Sequence, residues 1–233
     1  MSEKNENAVS KIGDRLKEPY SRRSFLGYSG LVVAGTSVLL GCNDDDEDIP
    51  VMPDEISLGT GDIGILNYAY ALEQLEAAFY IKVAESTIVG ITADEMSLLA
   101  DIRDHEIAHR EFFKNALGSS AISALEVDFS KIDFTKRDTV LATAKAFEDL
   151  GVSAYNGAGK LLKSDQYLLL AGKIVSVEAR HAAYIRDLIS NGSFADQTVV
   201  NAQGLDKSRT PTEVLTIASA FIKSKINFSG LPK

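Results

Sequence analysis

The sequence predicts an all-α protein: a four-helix bundle with a long crossover between its second and third helices, plus a short C-terminal helix. Three observations carry this. Four stretches with the apolar spacing of a helix lie between residues 62 and 190. The first two are joined by a short connection, and so are the last two, which makes each pair antiparallel neighbours; the middle connection is long. Finally, a Glu-x-x-His unit occurs twice, at Glu106–His109 and Glu178–His181, using two of the three histidines.

The chain has 233 residues and a net charge of −9, enough for one domain with extensions. That charge argues against nucleic acid as a partner, because no basic face is available to neutralise phosphates. Residues 1–41 read as a targeting segment. Arg22 and Arg23 precede Phe25-Leu26 and an apolar run from Leu31 to Leu40. The paired arginines resemble a twin-arginine export signal. The run is short for a span of ~20 residues. Leu39-Leu-Gly-Cys42 resembles a bacterial lipobox, which implies a lipidated Cys42, although a plain N-terminal anchor with an incidental cysteine is the alternative. The lipoprotein reading is preferred because the chain's one cysteine falls where processing needs it. Residues 42–61, with the acidic run Asp44–Asp48 and Pro50 and Pro53, read as a solvated tether. The expected localisation is therefore an exported, membrane-anchored lipoprotein of the bacterial cell envelope.

The first helix is expected from Asp62, as its capping residue, to about Glu85. It is nearly free of charge except for Glu73 and Glu76. Its apolar stripe is Leu66, Ala69, Leu72, Ala77 and Tyr80. The second opens with the capping box Thr92-Ala-Asp-Glu95 and ends near Leu117, before Gly118. Ser119–Lys136 is the crossover; the alternation at Val127–Phe134 is read as extended chain rather than a paired strand. The third helix runs from Asp138 to Leu162, with Gly151, Gly157 and Gly159 marking close packing or a bend. The fourth starts after Ser164-Asp165 and stops before Asn191-Gly192. Residues 191–233 form a polar loop and a final helix opened by Thr210-Pro-Thr-Glu213, with Val214, Ile217, Ala218 and Phe221 as its apolar face.

Glu106 and His109 are three residues apart, so they share one helical face, as do Glu178 and His181. A carboxylate and an imidazole on one face make half of a transition-metal site. Glu148 supplies a further carboxylate, and Glu73 or Glu76 another. Tyr80 follows Glu73 by seven residues and Tyr155 follows Glu148 by seven. This repeat selects Glu73 as the ligand and leaves Glu76 beside it. It also makes the tyrosines candidates for orienting the carboxylates, or simply core residues with satisfied hydroxyls. One Glu from each of two helices plus Glu-x-x-His from two others is the ligand pattern of di-iron and di-manganese carboxylate bundles.

Leu72–Tyr80, His105–His109, Phe147–Tyr155 and Val177–His181 together resemble the ferritin-like domain of desiccation-related and other exported bacterial proteins. The resemblance spans Leu66 to Ile189. It implies a ferritin-like bundle with Glu73, Glu106, His109, Glu148, Glu178 and His181 as ligands to two iron or manganese ions, Glu106 and Glu178 bridging. It also implies redox chemistry with O2 or peroxide, of ferroxidase or peroxide-handling type. Two other readings compete. His105-Glu-Ile-Ala-His109 is literally the H-E-x-x-H of zinc peptidases, but Glu148 and the second Glu-x-x-His have no role there. A metal-free envelope module, stress-protective or scaffolding, would pair the same groups as buried polar networks. A tether and lipid on each subunit would crowd a closed storage cage, while a homodimer remains compatible.

Overall fold

The structure is a computed structural model that describes residues 55–233. The expected targeting segment, Cys42 and most of the expected tether lie outside the described residues.

Four long helices form the body. They are α1 (Gly61–Ala84), α2 (Ala93–Leu117), α3 (Arg137–Gly159) and α4 (Asp165–Ile189). α1 packs along α2, α3 packs along α4, and the pairs meet chiefly where α1 touches α3. A short α5 (Pro211–Ala218) lies on α3. The local start signals act as the residue types dictate. Thr92 caps α2 in a capping box with Glu95, and Thr210 caps α5 with Glu213 behind Pro211. Gly118 ends α2 at φ 56°, a left-handed value that a side chain would resist.

Asp62 does something other than cap its own helix. α1 starts at Gly61 after Thr60, with no side-chain cap. The Asp62 carboxylate instead accepts 2.9 Å hydrogen bonds from the backbone N–H groups of Lys163 and Ser164, at the start of α4. The single apolar stripe expected for α1 is also too narrow. The helix is buried on nearly its whole circumference, from Gly64 through Ala77 without a break. This is why the segment carries so little charge: a helix covered on all sides must be apolar all round.

The crossover supplies part of that cover. Asn67 of α1 donates to the carbonyls of Leu58 and Ser120 and accepts from Ile122 N–H, while Gln74 accepts from Leu125 N–H at 2.8 Å. Phe129 and Phe134 close edge-on or tilted against Phe79, which also meets Tyr80 and Phe147. Val127–Phe134 is not the continuous extended run expected: the chain turns at Ser130–Lys131, where Ile132 N–H bonds Phe129 O, and within the stretch the one bridge among the described residues is from Val127 to Ile222.

Gly151 and Gly157 of α3 mark close packing, whereas a Cβ on Gly159 would make an ordinary contact with Leu168. The helix is continuous to Gly159, and a Cβ on Gly157 would stand 1.7 Å from the carbonyl oxygen of Arg209. Arg209 fastens there through its N–H to Ser153 O and its guanidinium to Ser153 Oγ. Buried Arg186 of α4 ties the loop before it, bonding Asp149, Asp196 and Thr198. On α5, Val214, Leu215 and Ala218 are buried, but Ile217 is 45 % exposed, against expectation. Phe221 falls in the 3-10 turn after the helix and packs edge-on to Phe147.

The last stretch of the expected tether belongs to the fold. Ile56–Ser57 (β1) pairs in parallel with Ile226–Asn227 (β2), and Leu58 is fully buried behind it.

Candidate metal centre

The helices bring the six residues singled out by spacing to one point. α1 contributes Glu73, α2 Glu106 and His109, α3 Glu148, and α4 Glu178 and His181. All four carboxylates are fully buried. Two groups form, each with one ligand atom per residue and all such atoms within 4.8 Å of one another: Glu73, Glu106, His109, Glu178, and Glu106, Glu148, Glu178, His181. Glu106 and Glu178 are common to both.

The close contacts cross between the helix pairs. His109 Nδ1 lies 2.9 Å from Glu178 Oε1, closer than to Glu73 or to Glu106 on its own helix. His181 Nδ1 lies 2.8 Å from Glu106 Oε1, again closer than to Glu148 or to its own Glu178. The tyrosines follow the same rule. Tyr80 of α1 donates to Glu148 Oε1 of α3 at 2.5 Å, and Tyr155 of α3 donates to Glu73 Oε1 of α1. Burial, reinforced by the adjacent carboxylates, pushes both phenols well above their ordinary value. They therefore keep their protons and act as donors.

The remaining atoms are left over. Glu73 Oε2, Glu148 Oε2, both oxygens of Glu106 and of Glu178, and Nδ1 of both histidines have no hydrogen-bond partner among the described residues. The short histidine–carboxylate distances are those of ion pairs, but they are not directed as hydrogen bonds. Buried polar atoms are ordinarily satisfied, so a convergent set of orphans in a helical core needs an explanation.

The electrostatics show how these groups share protons when nothing else is present. Burial raises Glu148 to about 7 despite the opposing pull of His181. It raises Glu106 well above the carboxylate range, helped by the charge of Glu178. Glu178 resists burial because both histidines face it, and it falls to about 2. Burial disfavours charge on both rings, but the carboxylates outweigh it, raising His181 to about 12 and His109 likewise upward.

Glu76 belongs to neither group. Its carboxylate packs on Gly151, where a Cβ would come within 3.0 Å of Oε1, and its Oε2 also lacks a partner. Burial, and then the charges of the four clustered carboxylates, raise it well above the usual range, so it remains neutral. His105 is absent from both groups too. Its Nδ1 lies 2.9 Å from Nε2 of His181, with the two ring planes within 7° of parallel. His105 and His109 thus do not converge on one ion as an H-E-x-x-H zinc site requires. The His105–His181 contact could not be read from spacing, because it joins residues 76 apart in the chain. The one signal was the lack of any counterpart at Val177, four residues before His181.

Comparison with known families agrees with this architecture. The ferritin-like domain matches residues 61–191, and the chain belongs to that family. None of the curated proteins matches it.

Proposed function

We propose that this ferritin-like protein holds two iron or manganese ions and uses them for oxidative-stress or metal redox chemistry. Glu73, Glu106, His109 and Glu178 hold one ion, Glu106, Glu148, Glu178 and His181 hold the other, and Glu106 and Glu178 are shared between them. The observation that carries this is the convergence of orphaned buried oxygens and nitrogens from all six residues. The donor set fits. Carboxylate and imidazole suit iron and manganese, and four ionised carboxylates balance two divalent ions while the imidazoles stay neutral.

A pair of such ions supplies two-electron redox chemistry toward O2 or peroxide. The chain's part is to hold and shield. Tyr80 and Tyr155 fix one oxygen each of Glu148 and Glu73, leaving the other oxygen to face the centre. Phe79, Leu72, Leu75 and Phe147 keep water from the helix interior. In the same proposal the protein is exported through a twin-arginine signal and held at the envelope membrane by a lipidated Cys42.

Elemental analysis of the chain purified without added metal, beside a Glu106→Ala/Glu178→Ala variant, tests the centre. The expected result is about two iron or manganese per chain, lost in the variant, since both shared ligands are gone. One zinc per chain, or no metal taken up on addition, would overturn it; the second result leaves a helical module whose histidines are structural.

A further inference from the structure

The two ion positions are built from the same residue types, yet only one of their histidines has a partner on its outer side. His105 stands four residues before His109 on α2, and Val177 stands four residues before His181 on α4. His105 does not serve the histidine of its own helix. It reaches across to α4, where its Nδ1 is 2.9 Å from His181 Nε2 and the ring planes are within 7° of parallel. His181 turns its other nitrogen, Nδ1, toward Glu106, Glu148 and Glu178. Nδ1 must offer a lone pair to an ion, so the proton of a neutral His181 sits on Nε2 and is donated to His105 Nδ1. A doubly protonated His181 donates from Nε2 in the same way. His105 is the acceptor in either state. Among the described residues His109 has no such neighbour at its outer nitrogen, and the aliphatic side chain of Val177 offers none.

We propose that His105 is a positioning residue that locks the tautomer and ring orientation of His181, and so makes the two ion positions unequal, the one at His181 binding more tightly than the one at His109. The inference rests on the dinuclear reading above. Outer partners of metal-binding histidines raise affinity by roughly 10–100-fold. Here that support comes from an exposed imidazole rather than a buried carboxylate, and it comes from the opposite helix pair.

The test uses the full chain and Mn2+ alone, with free and bound ion counted by electron paramagnetic resonance. The wild type should fill in two steps. His105→Phe keeps an aromatic ring but removes the acceptor, and should weaken the tighter step by roughly 10–100-fold while leaving the weaker step in place. His105→Asn places an oxygen near the position of Nδ1 and should restore most of the loss. In the metal-free protein, the His181 Nε2–H proton should be visible by nuclear magnetic resonance in the wild type and His105→Asn, and lost in His105→Phe. Two equal steps in the wild type, or an unchanged tighter step in His105→Phe, would overturn the inference while leaving the dinuclear centre intact. No Mn2+ uptake by the wild type would remove both the centre and the inequality, and the Nε2–H signal would then decide the positioning role alone.

Discussion

The α1–α2 pair and the α3–α4 pair carry the same candidate ligand types at nearly the same spacing, but unrelated parts of the chain cover them. α1 is sealed by the crossover, through Asn67, Gln74 and the Phe79–Phe129–Phe134 cluster. α3 is sealed by the C-terminal segment, through Arg209 on Ser153, the bare surface of Gly157, and Phe221 on Phe147. The difference teaches which features the site requires. The i, i+3 Glu–His spacing and the i, i+7 Glu–Tyr spacing recur because both pairs must aim the same atoms at one point. The covers differ because excluding water can be done by any apolar segment.

That contrast can be broken on the crossover side first. Phe79 is fully buried at the hub of the aromatic cluster, and Phe79→Ala should cost about 3–5 kcal/mol in urea unfolding. A cost below about 1 kcal/mol would mean that the crossover does not close over α1 in solution. The interior likeness is tested by the tyrosines. Tyr80→Phe and Tyr155→Phe each remove one hydrogen bond to a buried carboxylate, so each should cost about 1.5–3 kcal/mol, and by similar amounts. A loss confined to one of them would show that the pairs are not equivalent inside.

A further test, which reads both halves at once, concerns pH. Folding raises Glu148 to about 7 and His181 to about 12, so both bind protons more strongly when folded. The stability they contribute is complete below their unfolded values and is lost as pH rises, through about 7 for Glu148 and onward toward 12 for His181. Glu178, lowered to about 2, acts the other way, its contribution present above the ordinary carboxylate value and lost as pH falls toward 2. Between about pH 5.5 and 8 the metal-free protein should therefore melt at a falling temperature, about 2–4 °C for each kcal/mol lost. In the proposed centre Mn2+ would displace those protons, so its stabilising increment should grow over the same interval. A metal-free melting temperature that climbs with pH would contradict this proton distribution.

The helices were legible in the sequence because their boundaries are local chemistry. Thr92 with Glu95 and Thr210 with Glu213 act within four residues, and period alone finds the long apolar runs. The convergence of the six site residues was legible for a related reason: spacing along a helix fixes a face, and two repeated spacings fix two facing halves. What escaped depends on segments distant in the chain. Asp62 serves α4 rather than α1, and Gly157 is required by a carbonyl that arrives 52 residues later. Ile217 looked like core because its helix is short, and in eight residues a stripe is poorly defined. His105 was grouped with His109 by motif, whereas its Nδ1 pairs it with His181 in the other half of the bundle.

The pairing of Ile56–Ser57 with Ile226–Asn227 has a mechanical consequence. Tension entering the domain from the side of residue 54 reaches the hydrogen bonds from Ile56 N–H to Lys225 O and from Leu58 N–H to Asn227 O before it reaches any turn of α1. Buried Leu58 stands directly behind them, and its carbonyl is held by Asn67. A pull from that side is thus shared at once with Ile226–Asn227, and the four long helices are loaded only after that two-residue clasp has opened.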